Sequence, residues 1–325
     1  MDSLVDRYRE RLPVSAGMPV VSLGEGSTPL LQAPRISRRL GVELYLKWEG
    51  ANPTGSFKDR GMTVAISKAL EAAARAVVCA STGNTAASAA AYAARAGLVA
   101  VVLQPAGAVA SGKLAQARAY GARALEVRGT FDEALSAARE LAARGTHVLV
   151  NSLNPDRLEG QKTAAFEIVE ELGAAPNVLA LPYGGGGNLT AYARGFAETG
   201  RLPRLVAGEA AERSSTVASA IRITAPAHAA TAADAIESSG GSVVTLADDA
   251  ILEAWRELAR EEGIFCEPAS AAGLAALGEA DLEPGSTVVC VITGHGLKDP
   301  ETATRLSPPP VTVDPDPYAI EQASR

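Results

Sequence analysis

The chain has few aromatics, few lysines and few cysteines, and each shortage narrows what it can be. Aromatic residues make up 4% of 325 positions, so the core that a 47% hydrophobic content allows must be mostly Ala, Val, Leu and Ile. The three cysteines, Cys79, Cys266 and Cys290, lie far apart and form no CxxC pair. Cys79 and Cys290 sit in apolar, strand-like runs, as reduced core residues of a cytosolic protein do. No apolar run approaches the ~18 residues of a membrane span, and Met1 to Arg7 lack a signal h-region. A cytoplasmic protein without membrane contact is therefore expected. The net charge is −7, and no run of Lys and Arg forms a nucleic-acid footprint.

What is present is a rhythm. Short apolar runs alternate with amphipathic patterns of 10–15 residues, which predicts βαβ units and parallel sheets. Strands are expected at 20–23, 43–48, 76–80, 98–103, 124–127, 147–150, 177–181, 205–207, 242–246 and 287–292. Helices are expected at 59–74, 84–96, 111–120, 131–143, 157–172, 189–199, 216–223, 229–238, 248–262 and 270–277. The first nineteen residues lead in with a short helix at most. The Pro- and Asp-rich tail from Ser307 is expected to lie extended on the surface. The length suits two domains, and the pattern fits two doubly wound α/β units with mostly parallel sheets. Ligands of such folds sit beyond the carboxyl ends of the strands, where the polar turns 81–85, 151–157, 184–188 and 293–298 are expected.

Lys58 is one of only six lysines, and it lies between a Pro/Gly turn with Phe57 and a long helical pattern. Burial there would lower its pKa and leave the neutral amine that an aldehyde cofactor needs. A surface lysine paired to Asp59 is the plainer alternative. Gly184, Gly185, Gly186, Gly187 and Asn188 follow a buried strand and open a helix, a place where backbone N–H groups converge on an anion. The pattern lacks the P-loop ending and the dinucleotide acid, so it suits a single phosphate, or else a flexible turn. Ser81, Thr82, Gly83, Asn84 and Thr85 form a second polar strand-to-helix turn, fit for a carboxylate or a ring hydroxyl, or simply an N-cap. Asn151 and Ser152 with Arg157, and Lys113 in another loop, offer donors for a phosphate or carboxylate; a surface charge is the alternative for Arg157. Thr293 could meet a ring nitrogen. His295 could be a base, although a lone turn histidine is more often structural.

Together these stretches resemble the threonine synthases, pyridoxal-phosphate enzymes of the tryptophan-synthase-β-like fold type II. The resemblance is carried by residues 24–30, 47–61, 81–85, 151–163 (NSLNPDRLEGQKT), 184–188, 267–272 (EPASAA) and 293–299 (TGHGLKD), in family order. It implies that Lys58 joins the cofactor aldehyde and moves protons, and that Asn84 meets the cofactor's 3-hydroxyl. Gly184 to Asn188 would cradle its phosphate, and Thr293 would face its pyridine nitrogen. It further implies that Ser81 and Thr85 face the substrate carboxylate, while Lys113, Asn151, Ser152 and Arg157 hold the substrate phosphate. No metal is implied. The implied activity is a lyase of threonine biosynthesis that turns O-phospho-L-homoserine and water into L-threonine and phosphate. A homodimer is implied too. The implied domains are 1–60 with 158–325, holding the cofactor phosphate, and 61–157 on the substrate side. One departure stands out: residues 208–216 run almost directly into 216–222, a shorter loop than usual, with Glu209 where the family has Gln. A related lyase for a phosphoserine-type substrate is the enzyme alternative, and a catalytically silent binding protein a third.

Overall fold

The computed structural model describes residues 3–107 and 112–324. Ten strands form two sheets. β1 (Leu30–Gln32), β2 (Glu43–Trp48), β7 (Val178–Pro182), β8 (Arg204–Ala210), β9 (Ser242–Leu246) and β10 (Thr287–Ile292) form a six-stranded sheet in the order β1-β2-β10-β7-β8-β9. Only the β1–β2 pair is antiparallel. β3 (Ala76–Ala80), β4 (Val99–Pro105), β5 (Arg123–Val127) and β6 (Val148–Leu149) form a parallel sheet in the order β5-β4-β3-β6. All five residues of β3, and all five of β7, are buried. Helices cover both faces of a parallel sheet, which is why those segments read as unbroken apolar runs.

Strand order fixes where ligands can go. In the small sheet the chain runs outward from β3 to β4 and β5, then returns to β6 on the other side of β3. In the large sheet it runs from β7 to β8 and β9, then returns to β10 on the other side of β7. Each reversal opens a crevice beyond the carboxyl ends of the two strands beside it. The turns at those four ends are Ser81–Thr85, Asn151–Asn154, Tyr183–Gly187 and Thr293–Gly294.

Two helices join the units. The 155–172 helix begins at Pro155, capped by the Asn154 side chain on the Asp156 N–H at 2.9 Å, and ends at Gly173 in the left-handed region. It crosses the 58–71 helix so closely that a Cβ at Gly160 would lie 1.9 Å from the Arg60 carbonyl oxygen. Met62, Ala65 and Ile66 pack on the small sheet's core, whereas Ala164, Ala165 and Ile168 pack on the large sheet's. Between them lies a buried ionic cluster. Arg60 donates to Glu49 at 2.6 and 2.8 Å and to Glu167 at 2.6 and 2.7 Å, and Lys47 donates to Glu167 at 2.8 Å. Burial alone would raise the Glu167 carboxyl, but Arg60 and Lys47 outweigh it and hold it well below the usual range. Two cations against two carboxylates leave no net charge to desolvate, the condition under which such a cluster is tolerated.

Three expectations are corrected. Residues 20–23 form no strand. Val21 is pinned to the 58–71 helix instead, its N–H given to Ser67 Oγ at 2.9 Å and its carbonyl taken by Thr63 Oγ1 at 2.7 Å. Residues 216–223 hold a single 3₁₀ turn, Ser219–Ile221. The Thr216 carbonyl, which a helix would offer to residue 220, accepts the Arg222 guanidinium, and Asp248 takes the Val217 N–H at 2.8 Å. In the tail, residues 307–316 are exposed and irregular, but Pro317–Ala323 then forms a helix with no buried residue. The expected start of a helix at Ser111 lies outside the described residues.

Candidate active site

Lys58 opens its helix directly after the turn at Gly55, whose φ of +87° favours glycine. The Phe57 N–H donates to the Thr293 carbonyl at 3.0 Å, tying the lysine to the end of β10. Asp59 is not its partner. Its carboxylate accepts from the Thr54 N–H and hydroxyl at 2.7 and 2.6 Å and from Ser88 Oγ at 2.6 Å. The Lys58 ammonium sits 4.3 Å from the Phe57 ring centre and forms no ion pair among the described residues. Burial, reinforced by the Arg157 charge and opposed by Glu267, lowers its pKa to about 7. An amine in that range is neutral often enough to attack a carbonyl and charged often enough to deliver a proton.

Lys58 lines a cavity of about 670 Å³ between the two sheets. The small sheet contributes Ser81, Asn84, Thr85, Asn151 and Ser152. The large sheet contributes Gly184, Gly185, Gly186, Gly187, Asn188 and Thr293. Packing restricts two of the glycines: a Cβ at Gly184 would lie 3.1 Å from Ile221 Cα, and one at Gly186, with φ of +80°, 2.9 Å from the His228 carbonyl. They open the 187–198 helix, whose first N–H groups have no acceptor within the helix.

Two predicted residues do not line the cavity. Lys113 is drawn to Glu267 at 2.9 Å and Ser219 Oγ at 3.1 Å. Arg157 is fully buried behind the wall and donates from Nη1 to the Val150 carbonyl at 2.7 Å, while its Nε and Nη2 find no acceptor. Asn151 does line it, but its amide is engaged on both sides of Ala80, accepting from the N–H at 3.0 Å and donating to the carbonyl at 2.9 Å. His295 accepts the Leu297 N–H at 3.1 Å and lies between the Trp48 and Phe265 rings, a structural placement.

Two residues without a sequence-derived role enter here. Glu267, on the cavity wall, accepts from Asn84 Nδ2 at 2.8 Å and pairs with Lys113. Ser270 Oγ stands 2.9 Å from Thr293 Oγ1. The signal for both was present: a carboxylate and a hydroxyl inside the otherwise apolar run from Ile264 to Ala272 need a partner or a purpose.

The family model for pyridoxal-phosphate dependent enzymes matches residues 21–294. The chain belongs to that family. Threonine synthases are among its relatives within it. The enzyme named threonine synthase from Synechocystis sp. is 54% identical over 94% of this chain and 85% of its own. That from Halalkalibacterium halodurans is 50% identical over 92% and 90%. In fold it is similar to serine racemase from Dictyostelium discoideum, with a TM-score of 0.75, 24% identity and coverage of 90% of this chain and 95% of that one. Pyridoxal phosphate is the family's cofactor, and the site fits it. Asn188 Nδ2 and Asn84 Oδ1 are buried polar atoms without partners. Such orphans are rare in a finished interior and mark a place for a ligand. One is a donor at the glycine loop, where a phosphate would lie. The other is an acceptor on the small sheet's side of the cavity, where a ring hydroxyl would lie.

Proposed function

We propose that the chain is a threonine synthase, converting O-phospho-L-homoserine and water to L-threonine and inorganic phosphate. The observation that carries the reading is the 54% identity to the Synechocystis threonine synthase over 94% of the chain, and a single lysine where the crevices of two sheets face each other supplies the reactive amine. When bound, pyridoxal phosphate supplies an aldehyde carbon for an amine and a ring that withdraws electrons from the carbon attached to that amine.

The protein's residues do the rest. The 184–187 backbone and Asn188 Nδ2 would bind the cofactor phosphate. Asn84 would orient the ring edge, and the Thr293 hydroxyl, steadied by Ser270, would meet the ring nitrogen. A neutral hydroxyl there tempers the electron demand of the ring, as a carboxylate would not. Lys58 would hold the cofactor through its amine. Freed when substrate takes its place, it would remove the α proton and then a β proton as phosphate leaves the γ carbon, and would return protons to the γ and α carbons as water adds at the β carbon. A group titrating near 7 can take each proton and give it back. On the opposite wall Ser81 and Thr85 hold the substrate carboxylate, and Ser152 holds its phosphate, with Asn151, whose amide already bridges the Ala80 main chain, shaping the wall and Arg157 and Lys113 behind it. The unpaired Nε and Nη2 of Arg157 support an anion on that side, since a buried guanidinium left short of acceptors is costly.

The division of the core between the two helices supports domains at 1–60 with 158–325 and at 61–157. Three buried, unpaired cysteines support a reducing cytoplasm. No helix of the described residues is long and apolar enough to cross a membrane. A homodimer is expected from the family resemblance. The attachment is tested by absorbance: the Schiff-base band of the protein as purified disappears in Lys58→Ala, together with phosphate release. A band that survives in the variant contradicts the assignment of Lys58.

A further inference from the structure

We infer that Arg213, anchored by Glu209, is a positioning residue that orients the 184–187 loop for the cofactor phosphate. The inference rests on the reading of that loop as the phosphate cradle. Both residues belong to the stretch where the chain departs from the family pattern. Arg213 lies in the turn after β8. From Nη1 it donates to the Gly184 carbonyl at 3.2 Å and to the Ile223 carbonyl at 3.0 Å. From Nη2 it pairs with the Glu209 carboxylate, whose other oxygen accepts from Thr245 Oγ1 at 3.0 Å. Its guanidinium carbon lies 5.0 Å from the Tyr183 ring centre. One side chain therefore ties the glycine loop to the 219–225 segment on the same cavity wall.

The consequence follows from peptide geometry. In a planar trans peptide the carbonyl of one residue and the N–H of the next point in opposite directions. With Arg213 holding the Gly184 carbonyl, the Gly185 N–H is directed away from the guanidinium. The next two peptides are held in the same manner. The His228 N–H takes the Gly185 carbonyl at 3.0 Å, and the Thr190 N–H takes the Gly186 carbonyl at 3.0 Å. Three successive peptide orientations are thus set by donors from outside the loop. Four glycines carry no side chains to do this, and they lose more conformational freedom on ordering than other residues. Of the three donors, Arg213 is the one supplied by a side chain, so it can be removed without altering the main chain.

The test is equilibrium binding of pyridoxal 5′-phosphate and of pyridoxal, which lacks the phosphate, to the cofactor-stripped protein, followed by absorbance. Arg213→Ala should weaken pyridoxal 5′-phosphate binding by roughly ten- to thirtyfold, the scale of one or two lost charged hydrogen bonds, and leave pyridoxal within about twofold. Arg213→Lys, a point charge that cannot bridge both carbonyls, should lose an intermediate amount, and it carries the test if Arg213→Ala does not fold. Equal loss of both ligands overturns the inference, because it reports general disruption. So does an unchanged preference for the phosphorylated ligand in the Arg213 variants while Asn188→Ala abolishes it. If Asn188→Ala also keeps the preference, the loop is not the phosphate cradle, and the reading beneath the inference falls with it.

Discussion

Replacing Gly160 by alanine tests the joint on which Lys58 is mounted. The added Cβ would lie 1.9 Å from the Arg60 carbonyl oxygen and 2.8 Å from Gly61 Cα. Ordinary contact is about 3.4 Å, so the 58–71 and 155–172 helices must separate locally by roughly 1.5 Å, with no flexible side-chain end to absorb it. Overpacking of this kind costs about 1–3 kcal/mol, and a clash with main chain belongs at the upper end. Alanine returns about 1 kcal/mol through helix propensity, which leaves a net loss of about 2 kcal/mol. For domains of this size that corresponds to a fall in Tm of about 4–8 °C. The effect on turnover should be larger, because Arg60 lies two residues from Lys58 and a misplacement of ~1 Å can cost about a hundredfold. Thermal unfolding and phosphate release would be measured on the same preparation. Gly278→Ala serves as control: nothing lies within 4 Å of its added Cβ, so it should match wild type or melt slightly higher. A Gly160→Ala protein with wild-type Tm and turnover would show that the two helices do not meet as described.

Other variants probe the charges. Glu167→Gln leaves Lys47 and Arg60 sharing one carboxylate and should destabilise by about 3–5 kcal/mol, the usual effect of breaking a buried pair. Because the Glu167 pKa is depressed in the folded protein, its contribution is complete above the ordinary carboxylate value and is lost as pH falls below it. Urea unfolding of wild type should therefore weaken on acidification below about pH 4.5 more steeply than that of the variant; parallel curves would refute the network's role. Arg157→Met removes a positive charge that reinforces burial in lowering the Lys58 pKa to about 7. The pH midpoint for attachment of added pyridoxal 5′-phosphate should move to higher pH, and capture of the phosphorylated substrate should suffer more than cofactor binding. An unmoved midpoint would show that burial alone sets the lysine.

Elements whose signal is local were legible in the sequence. The Glu43–Trp48 alternation became β2, and Thr130 with Glu133 three residues on forms the capping box that starts the 131–143 helix. The site was legible for a related reason: glycine and hydroxyl turns directly after apolar strands can only lie at strand ends. Pairings between distant segments were hidden. Nothing near Val21 says that Thr63 and Ser67 will claim its backbone, and nothing near Lys113 points to Glu267, more than 150 positions away. The same blindness concealed Ser270 behind Thr293 and the Arg213 contact with the glycine loop. In the short 208–216 stretch the sequence showed a departure from the family, while the structure shows a side chain that reaches back to the glycine loop.

The reaction itself can be measured directly. Purified protein with pyridoxal phosphate would be given O-phospho-L-homoserine, O-phospho-L-serine, L-threonine or L-serine in parallel, with inorganic phosphate and amino-acid products both quantified. The account predicts phosphate and L-threonine in equal amounts from O-phospho-L-homoserine. Phosphate from O-phospho-L-serine with none from O-phospho-L-homoserine would contradict it.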